Sequence, residues 1–248
     1  MFEKTIEFIC QKDYVDLKQN YPKPIKLNIP EWFRKLDHSH HKQTVKGCMP
    51  FLDAISSGYV LETPQDLSLE HGKLNNAGVP YSSFVFGLSK QNVRSQGLNM
   101  NDAGYTRDSV HDIKQLEGSP LVDKNRNLNF HKFYNPWKIK TPPGYSCLFT
   151  PPLNNRDDRF EIISGIVDTD TYPLEINFPF TMNGDKYPNY SGTIKRGTPY
   201  VQVIPFKRDK WKMKIHSNDK SKKFEPVFFD LDLLYKYKKK YWNKKSWT

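Results

Sequence analysis

A chain of 248 residues can bury a full hydrophobic core, and its 14% aromatic content supplies apolar area that its modest aliphatic content lacks, so a disordered polypeptide is excluded. Eighteen prolines and the scarcity of long periodic runs argue against a helical bundle and for strands with irregular connections. The formal charge of +11 favours anionic partners, no apolar stretch is long enough to span a bilayer, and MFEKTIEFICQKD has no signal-peptide core, which together predict a soluble cytoplasmic protein with no membrane role.

No linker is evident, and the chain reads as one principal β domain over 1–248. Residues 1 to 9 alternate enough for an opening or edge strand. KQNYPKPIKLNIPEWFRKL is then extended and Pro-punctuated, turning into a short helix with Pro30 in its first turn and Trp32, Phe33 and Leu36 facing inward. Met49, Phe51, Ala54 and Ile55 approach a Ser-Ser-Gly turn. Tyr59 to Leu61 and Leu67 to Leu69 read as strands around the turn Pro64-Gln65-Asp66, a compact β unit.

The stretch 75–129 is rich in Asn, Gly and Ser and reads as an insertion or elaboration. It carries a short helix candidate, SVHDIKQLEG, with Ser109 as its start and Gly118 as its stop, and a turn or hairpin in LVDKNRNLN. Phe130, Phe133 and Trp137 bring aromatic bulk. Pro142-Pro143-Gly144 turns the chain into a strand from Tyr145 to Thr150.

The segment from Phe160 to Arg208 is the most informative. Ile162, Ile163, Ile166 and Val167 lead into Asp168 and Asp170. Leu174, Ile176, Phe178 and Phe180 follow at period two, and Tyr200, Val201, Val203, Ile204 and Phe206 form a further strand. Two aspartates two positions apart point the same way in a strand, and a bend can bring both carboxylates to one cation or one water. The same residues also suit plain turn capping. Arg156, Arg159, Arg196, Lys207 and Arg208 flank this unit and as a set favour an anionic ligand.

The C-terminal stretch 228–245 reads as a basic helix with Asp230 as its N-cap. One face is Leu and aromatic, and the other is lysine. Lys236, Lys239, Lys240 and Lys244, interleaved with Tyr and Trp, form a surface for polyanions, nucleic acid included. Equally, the helix can dock its apolar face and leave its lysines in water. Cys10, Cys48 and Cys147 have no paired spacing and read as ordinary thiols, with Cys147 in the core. No nucleophile elbow, phosphate-cradling loop or Cys-His arrangement stands out, which argues against covalent catalysis.

The order of GCMPFLDAISSGYVLETPQDLSLE, WKIKTPPGYSCLFTPPLNNR, ISGIVDTDTYPLEINF and SGTIKRGTPYVQVIPF resembles the layout of the dUTPase and dCTP-deaminase superfamily. The whole chain also resembles a phage and bacterial family of unknown function. The superfamily resemblance covers roughly 48–74 and 137–206, and implies a bent β-clip or β-sandwich-like core, commonly trimeric, with nucleotide sites between subunits. It places Asp168 or Asp170 near the sugar and attacking water, with magnesium as the implied cation, Tyr172 against deoxyribose, and Gln202 in the strand that follows.

The superfamily's Arg-Ser-Ser phosphate segment is replaced here by TPPLNNRDD, where Pro151 and Pro152 have no amide hydrogen to donate. Asn154, Asn155 and Arg156 are the residues that can stand in for it. The expected function is binding of a nucleotide or other small anion through Asn154, Arg156, Tyr172, Gln202 and Arg208, with Asp168 and Asp170 as candidate catalytic and metal residues. The alternatives are a nucleotide phosphohydrolase, or a phage structural or interaction protein with a polyanion-binding tail. Whether the chain is an enzyme stays open, and a phage origin would place it in the host cytoplasm.

Overall fold

A computed structural model describes residues 4–10, 21–39, 41–86, 110–216 and 233–248. Within them the apolar alternation read from the sequence becomes antiparallel sheet. In chain order the first strands are β1 (Glu7–Ile9), β2 (Lys23–Pro24), β3 (Tyr59–Glu62), β4 (Leu67–Leu74) and β5 (Pro80–Phe86). They are followed by β6 (Val110–His111), β7 (Phe130–Phe133), β8 (Lys138–Lys140), β9 (Tyr145–Thr150) and β10 (Phe160–Ile162). The last are β11 (Gly165–Val167), β12 (Phe178–Met182), β13 (Tyr190–Ile194) and β14 (Pro199–Lys207). Short helices α1 (Glu31–Lys35), α2 (Met49–Ser56), α3 (Pro120–Lys124) and α4 (Leu233–Lys240) complete the described elements.

The protein is mainly β. Its largest sheet has the order β11-β9-β14-β3-β2, a second runs β10-β12-β7-β6, a third β13-β4-β5, and β1 pairs with β8. In the middle of the largest sheet, Tyr200, Val201, Gln202 and Val203 are all buried, so β14 is covered on both faces. Aromatic rings knit the sheets together. Phe133 lies 4.4 Å from Phe180 and 4.8 Å from Tyr200 between ring centroids, and Phe84 lies 5.0 Å from Phe180. Such offset and edge contacts add to the area these side chains bury.

Several expectations shift. The run from Ile162 to Val167 is not one strand: β10 pairs with β12, and after Ser164 the chain crosses to another sheet, where β11 pairs with β9. Ile166 is left 63% exposed. Met49–Ser56, read only as an approach to a turn, is a helix with Pro50 in its first turn, where a missing amide hydrogen costs nothing. Gly58, at φ +74°, closes this unit against β14, because a Cβ there would sit 2.1 Å from the Val203 carbonyl oxygen.

Ser109, the expected start of a helix, lies outside the described residues. Asp112 caps a 3-10 turn over Ile113–Leu116, and Ser119 caps α3, each accepting from the amide two residues on. The stretch 75–129 also contributes to the core, through Phe84 of β5 and the pairing of β6 with β7. In α1, Phe33 is buried but Trp32 is 45% exposed.

The basic C-terminal helix is described from Leu233, while Asp230 lies outside the described residues. Beyond it the chain is tied to α2 and β3. Trp242 Nε1 and Lys245 Nζ both donate to Asp53 Oδ2, at 3.0 and 2.6 Å, and the Tyr59 hydroxyl donates to the Thr248 carbonyl at 3.1 Å.

Candidate functional site

The structure divides the residues expected in one site between the two ends of β9. At the Tyr145 end is the acidic turn. Asp168 follows β11, and its carbonyl accepts from the amides of Thr171 and Tyr172, which folds Asp170 back toward the Pro142-Pro143-Gly144 turn. Asp170 Oδ2 accepts from the Gly144 amide at 2.8 Å and from Arg208 Nη2 at 2.5 Å, while Oδ1 accepts from Nη1 at 2.8 Å. Gly144 is at φ +85°, a backbone conformation that side chains with a Cβ rarely adopt.

Asp168 Oδ1 accepts from Ser146 Oγ at 2.6 Å and from Arg208 Nη1 at 3.3 Å. The two carboxylates do converge on one cation, and that cation is the guanidinium of Arg208. The same Nη1 also donates to the Tyr145 carbonyl and to Ser146 Oγ, and the Arg208 amide donates to the Gly144 carbonyl.

This arrangement ties the end of β14 to the start of β9. It does not fit magnesium: Asp170, whose side chain is only 6% exposed, has both oxygens occupied, and a fixed guanidinium would repel a divalent ion at the same spot. Among the described residues no group of three or more His, Cys, Asp or Glu side chains is placed to hold a metal. The Arg208 hydrogen bonds, with the Gly144 amide, hold the Asp170 carboxyl down at about 2, far below the range of a general base near neutrality.

Tyr172, expected against a sugar, is 40% exposed, and Leu174 two residues on is 59% exposed. Gln202, expected in a ligand site, is fully buried. Its Nε2 donates to the carbonyls of Ala54 and Ser57, at 3.0 and 2.7 Å, and its Oε1 accepts from the Leu153 amide at 2.9 Å. All of these bonds are internal, so Gln202 fastens the end of α2 and the Pro151-Pro152-Leu153 bend to β14.

At the other end of β9, roughly 13 Å from Ser146 along an extended strand, lies a cleft of about 270 Å³. Thr150, Pro151, Pro152 and Leu153 form one side, and Glu161, Ser164 and Thr181 contribute to the other. Arg156 also lines it, 64% exposed, with Nη1 donating to Glu161 Oε2 at 3.0 Å. Glu161 accepts on its other oxygen from Lys124. Burial opposes ionisation of Glu161, but the two cations outweigh it and hold its pKa below the ordinary value.

One carboxylate between two cations leaves the site a net positive charge. Thr181 is 1% exposed, and its hydroxyl has no hydrogen-bond partner among the described residues. The hydroxyls of Thr150 and Ser164 lie 3.4 Å apart on the same cleft.

Asn154 is exposed at φ +57°, a conformation Asn tolerates, and shapes the bend beside Arg156. Asn155 accepts from Trp32 Nε1. Two further ion pairs lie close by in the chain. Arg159 grips Asp157 with Nε and Nη2, at 2.9 and 2.6 Å, which raises its already high pKa, and Lys186 pairs with Asp158. Of the tail lysines, Lys239, Lys240 and Lys244 are exposed.

Sequence reasoning missed Lys124, Glu161, Ser164 and Thr181. The signal available for Thr181 was a polar residue inside the apolar run FPFTM of a strand flanked by core residues. No helix among the described residues is long and apolar enough to cross a membrane. Comparison of the chain with protein-family models, with curated proteins and with solved structures finds no match.

Proposed function

We propose that the protein binds a small anionic ligand, a phosphate or carboxylate group or the phosphate end of a nucleotide, in the cleft beneath the Thr150–Leu153 bend. The observation that carries this reading is the buried, unpartnered hydroxyl of Thr181 on a cleft bordered by the exposed Arg156. A buried hydroxyl without a partner is costly, and a rotation of the Thr181 side chain toward the cleft it lines would let a ligand oxygen satisfy it. Arg156 has a planar fork suited to phosphate or carboxylate, and Lys124 keeps Glu161 neutralised when Arg156 turns to the ligand. The cleft is small by the standard of drug-sized ligand pockets, in keeping with a single anionic group.

The site binds through side chains, since Pro151 and Pro152 supply no amide donors. Binding without turnover is favoured over phosphohydrolysis. Asp168 and Asp170 are engaged by Arg208 at the far end of β9, and the one carboxylate at the cleft, Glu161, is held by two cations. Calorimetric titration with inorganic phosphate, nucleotides and short carboxylates tests the reading. One of them should bind the wild type, and Arg156→Ala should lose about tenfold or more in affinity, the scale of one charge-assisted hydrogen bond. Binding that is unchanged in Arg156→Ala and lost in a folded Asp170→Asn variant would move the site to the acidic turn.

A further inference from the structure

Given the anion cleft proposed above, on which this inference rests, we propose that its ligand is a short aliphatic monocarboxylate, an organic acid with a chain of a few carbons, and not a phosphate. Charge favours this first. Lys124 and Arg156 share the one carboxylate of Glu161, so the cleft has a single positive charge in excess. A carboxylate needs one, whereas a phosphate ester carries about −1.5 to −2 near neutral pH and would be left undercompensated.

The donors point the same way. Phosphate sites draw on several convergent backbone amides, at a helix N-terminus or in a loop that curls around the anion. Here Pro151 and Pro152 have no amide hydrogen, the Leu153 amide is taken by Gln202 Oε1 at 2.9 Å, and the Ile163 amide by the Pro179 carbonyl at 2.7 Å. Side chains must serve instead. Thr181 stands directly across from Glu161 in the pairing of β10 with β12, and the exposed Arg156 touches that same Glu161. Residues so paired have Cβ atoms about 5 Å apart. A carboxylate seated there has one oxygen for the guanidinium and one for the Thr181 hydroxyl, once that side chain rotates toward the cleft.

The walls account for the rest of the ligand. Leu121 of α3, Pro151, Pro152 and Ile163 line the cleft with apolar surface, and no aromatic side chain is among the described residues that line it. A nucleotide finds no ring on which to stack its base. Inorganic phosphate has no apolar surface to lay against these walls, while an aliphatic chain does. The volume of about 270 Å³ limits that chain to a few carbons.

Calorimetric titration of the full chain with isocaproate, acetate, the neutral isocaproamide and inorganic phosphate tests the assignment on wild type, Arg156→Ala and Leu121→Ala. Isocaproate should bind wild type most tightly. Each buried methylene is worth roughly fourfold in affinity, so with about half of its added chain covered it should exceed acetate by about tenfold or more. Replacing the carboxylate by the amide, or Arg156 by Ala, should each lose about tenfold or more. Leu121→Ala should lower the ratio of isocaproate to acetate affinity, and that ratio, taken on one sample, is insensitive to any loss of folded protein. Phosphate bound more tightly than isocaproate, with that binding lost in Arg156→Ala, would overturn the carboxylate assignment and leave the anion cleft standing. So would a ratio near unity in wild type, or one that Leu121→Ala leaves unchanged. Binding of none of the anions, or binding that Arg156→Ala does not weaken, would overturn the cleft as well.

Discussion

Replacing Gln202 by Leu keeps most of the side-chain volume and removes three hydrogen bonds at once. The Leu153 amide and the carbonyls of Ala54 and Ser57 then face an apolar group inside the protein. Each buried polar group left unpaired costs about 1–3 kcal/mol, with carbonyls at the lower end because they keep a second lone pair, so the sum is about 4 kcal/mol. For a chain of this size that lowers Tm by roughly 10 °C.

Gln202→Glu provides a sharper signature. The acceptor for Leu153 remains, but a carboxylate now faces two carbonyls, so the variant's Glu carboxyl is raised in the folded state. Its destabilisation should therefore be larger at pH above the ordinary Glu range than below it, where protonation restores one donor. Thermal melts of both variants across pH, with anion titrations alongside, make the test. If Tm stays at the wild-type value in both while anion affinity alone falls, Gln202 touches ligand and its role as an internal fastener is wrong.

The other predictions follow from the acidic turn, a buried histidine and the tail. With its folded pKa at about 2 against an ordinary 3.8, Asp170 contributes stability that is fully present above 3.8 and is lost as pH falls toward 2. Asp170→Asn should melt lower than wild type at neutral pH and lack that acid limb, and a variant curve parallel to wild type throughout would contradict the clasp. His71 is fully buried on β4, its Nδ1 3.3 Å from Ser82 Oγ, which in turn lies 3.0 Å from His131 Nε2. Burial first, and the charge of Arg126 second, lower the His71 pKa from 6.5 to about 4. The unfolded chain takes up this proton first, so stability should fall as pH drops from 6.5 to about 4, and His71→Gln should flatten Tm across that window. Changing Lys239, Lys240 and Lys244 together to Ser should reduce the salt dependence of polyanion binding by about two in logarithmic slope without changing Tm, measured on a single-stranded nucleic-acid fragment over a salt series.

Where one pattern governed one element, the sequence was readable. Tyr145 to Thr150 and the strand around Tyr200 to Phe206 stand where their alternation places them, because both sit in sheet with apolar neighbours on their inner faces. The run from Ile162 to Val167 misled, since period two says which side chains share a face but not which neighbour a strand pairs with, and the chain changes sheets at Ser164 and Gly165. The closeness of Asp168 and Asp170 was legible from their spacing. Their partner was not, because Arg208 reaches them only through the pairing of β14 with β9. For the same reason Arg156 and the acidic turn, near in sequence, fall at opposite ends of β9. The cleft needed Lys124, Glu161 and Thr181 from three separate elements, and no local pattern joins them.

The central claim concerns that cleft, and Thr181→Val tests it most directly. Valine has nearly the shape of threonine without the unpaired hydroxyl, so in the absence of ligand the variant should be more stable by about 1 kcal/mol. In calorimetric titration with the anion that binds wild type, the same variant should bind more weakly. A variant that melts no higher and binds as tightly as wild type would contradict the assignment of the cleft as the ligand site.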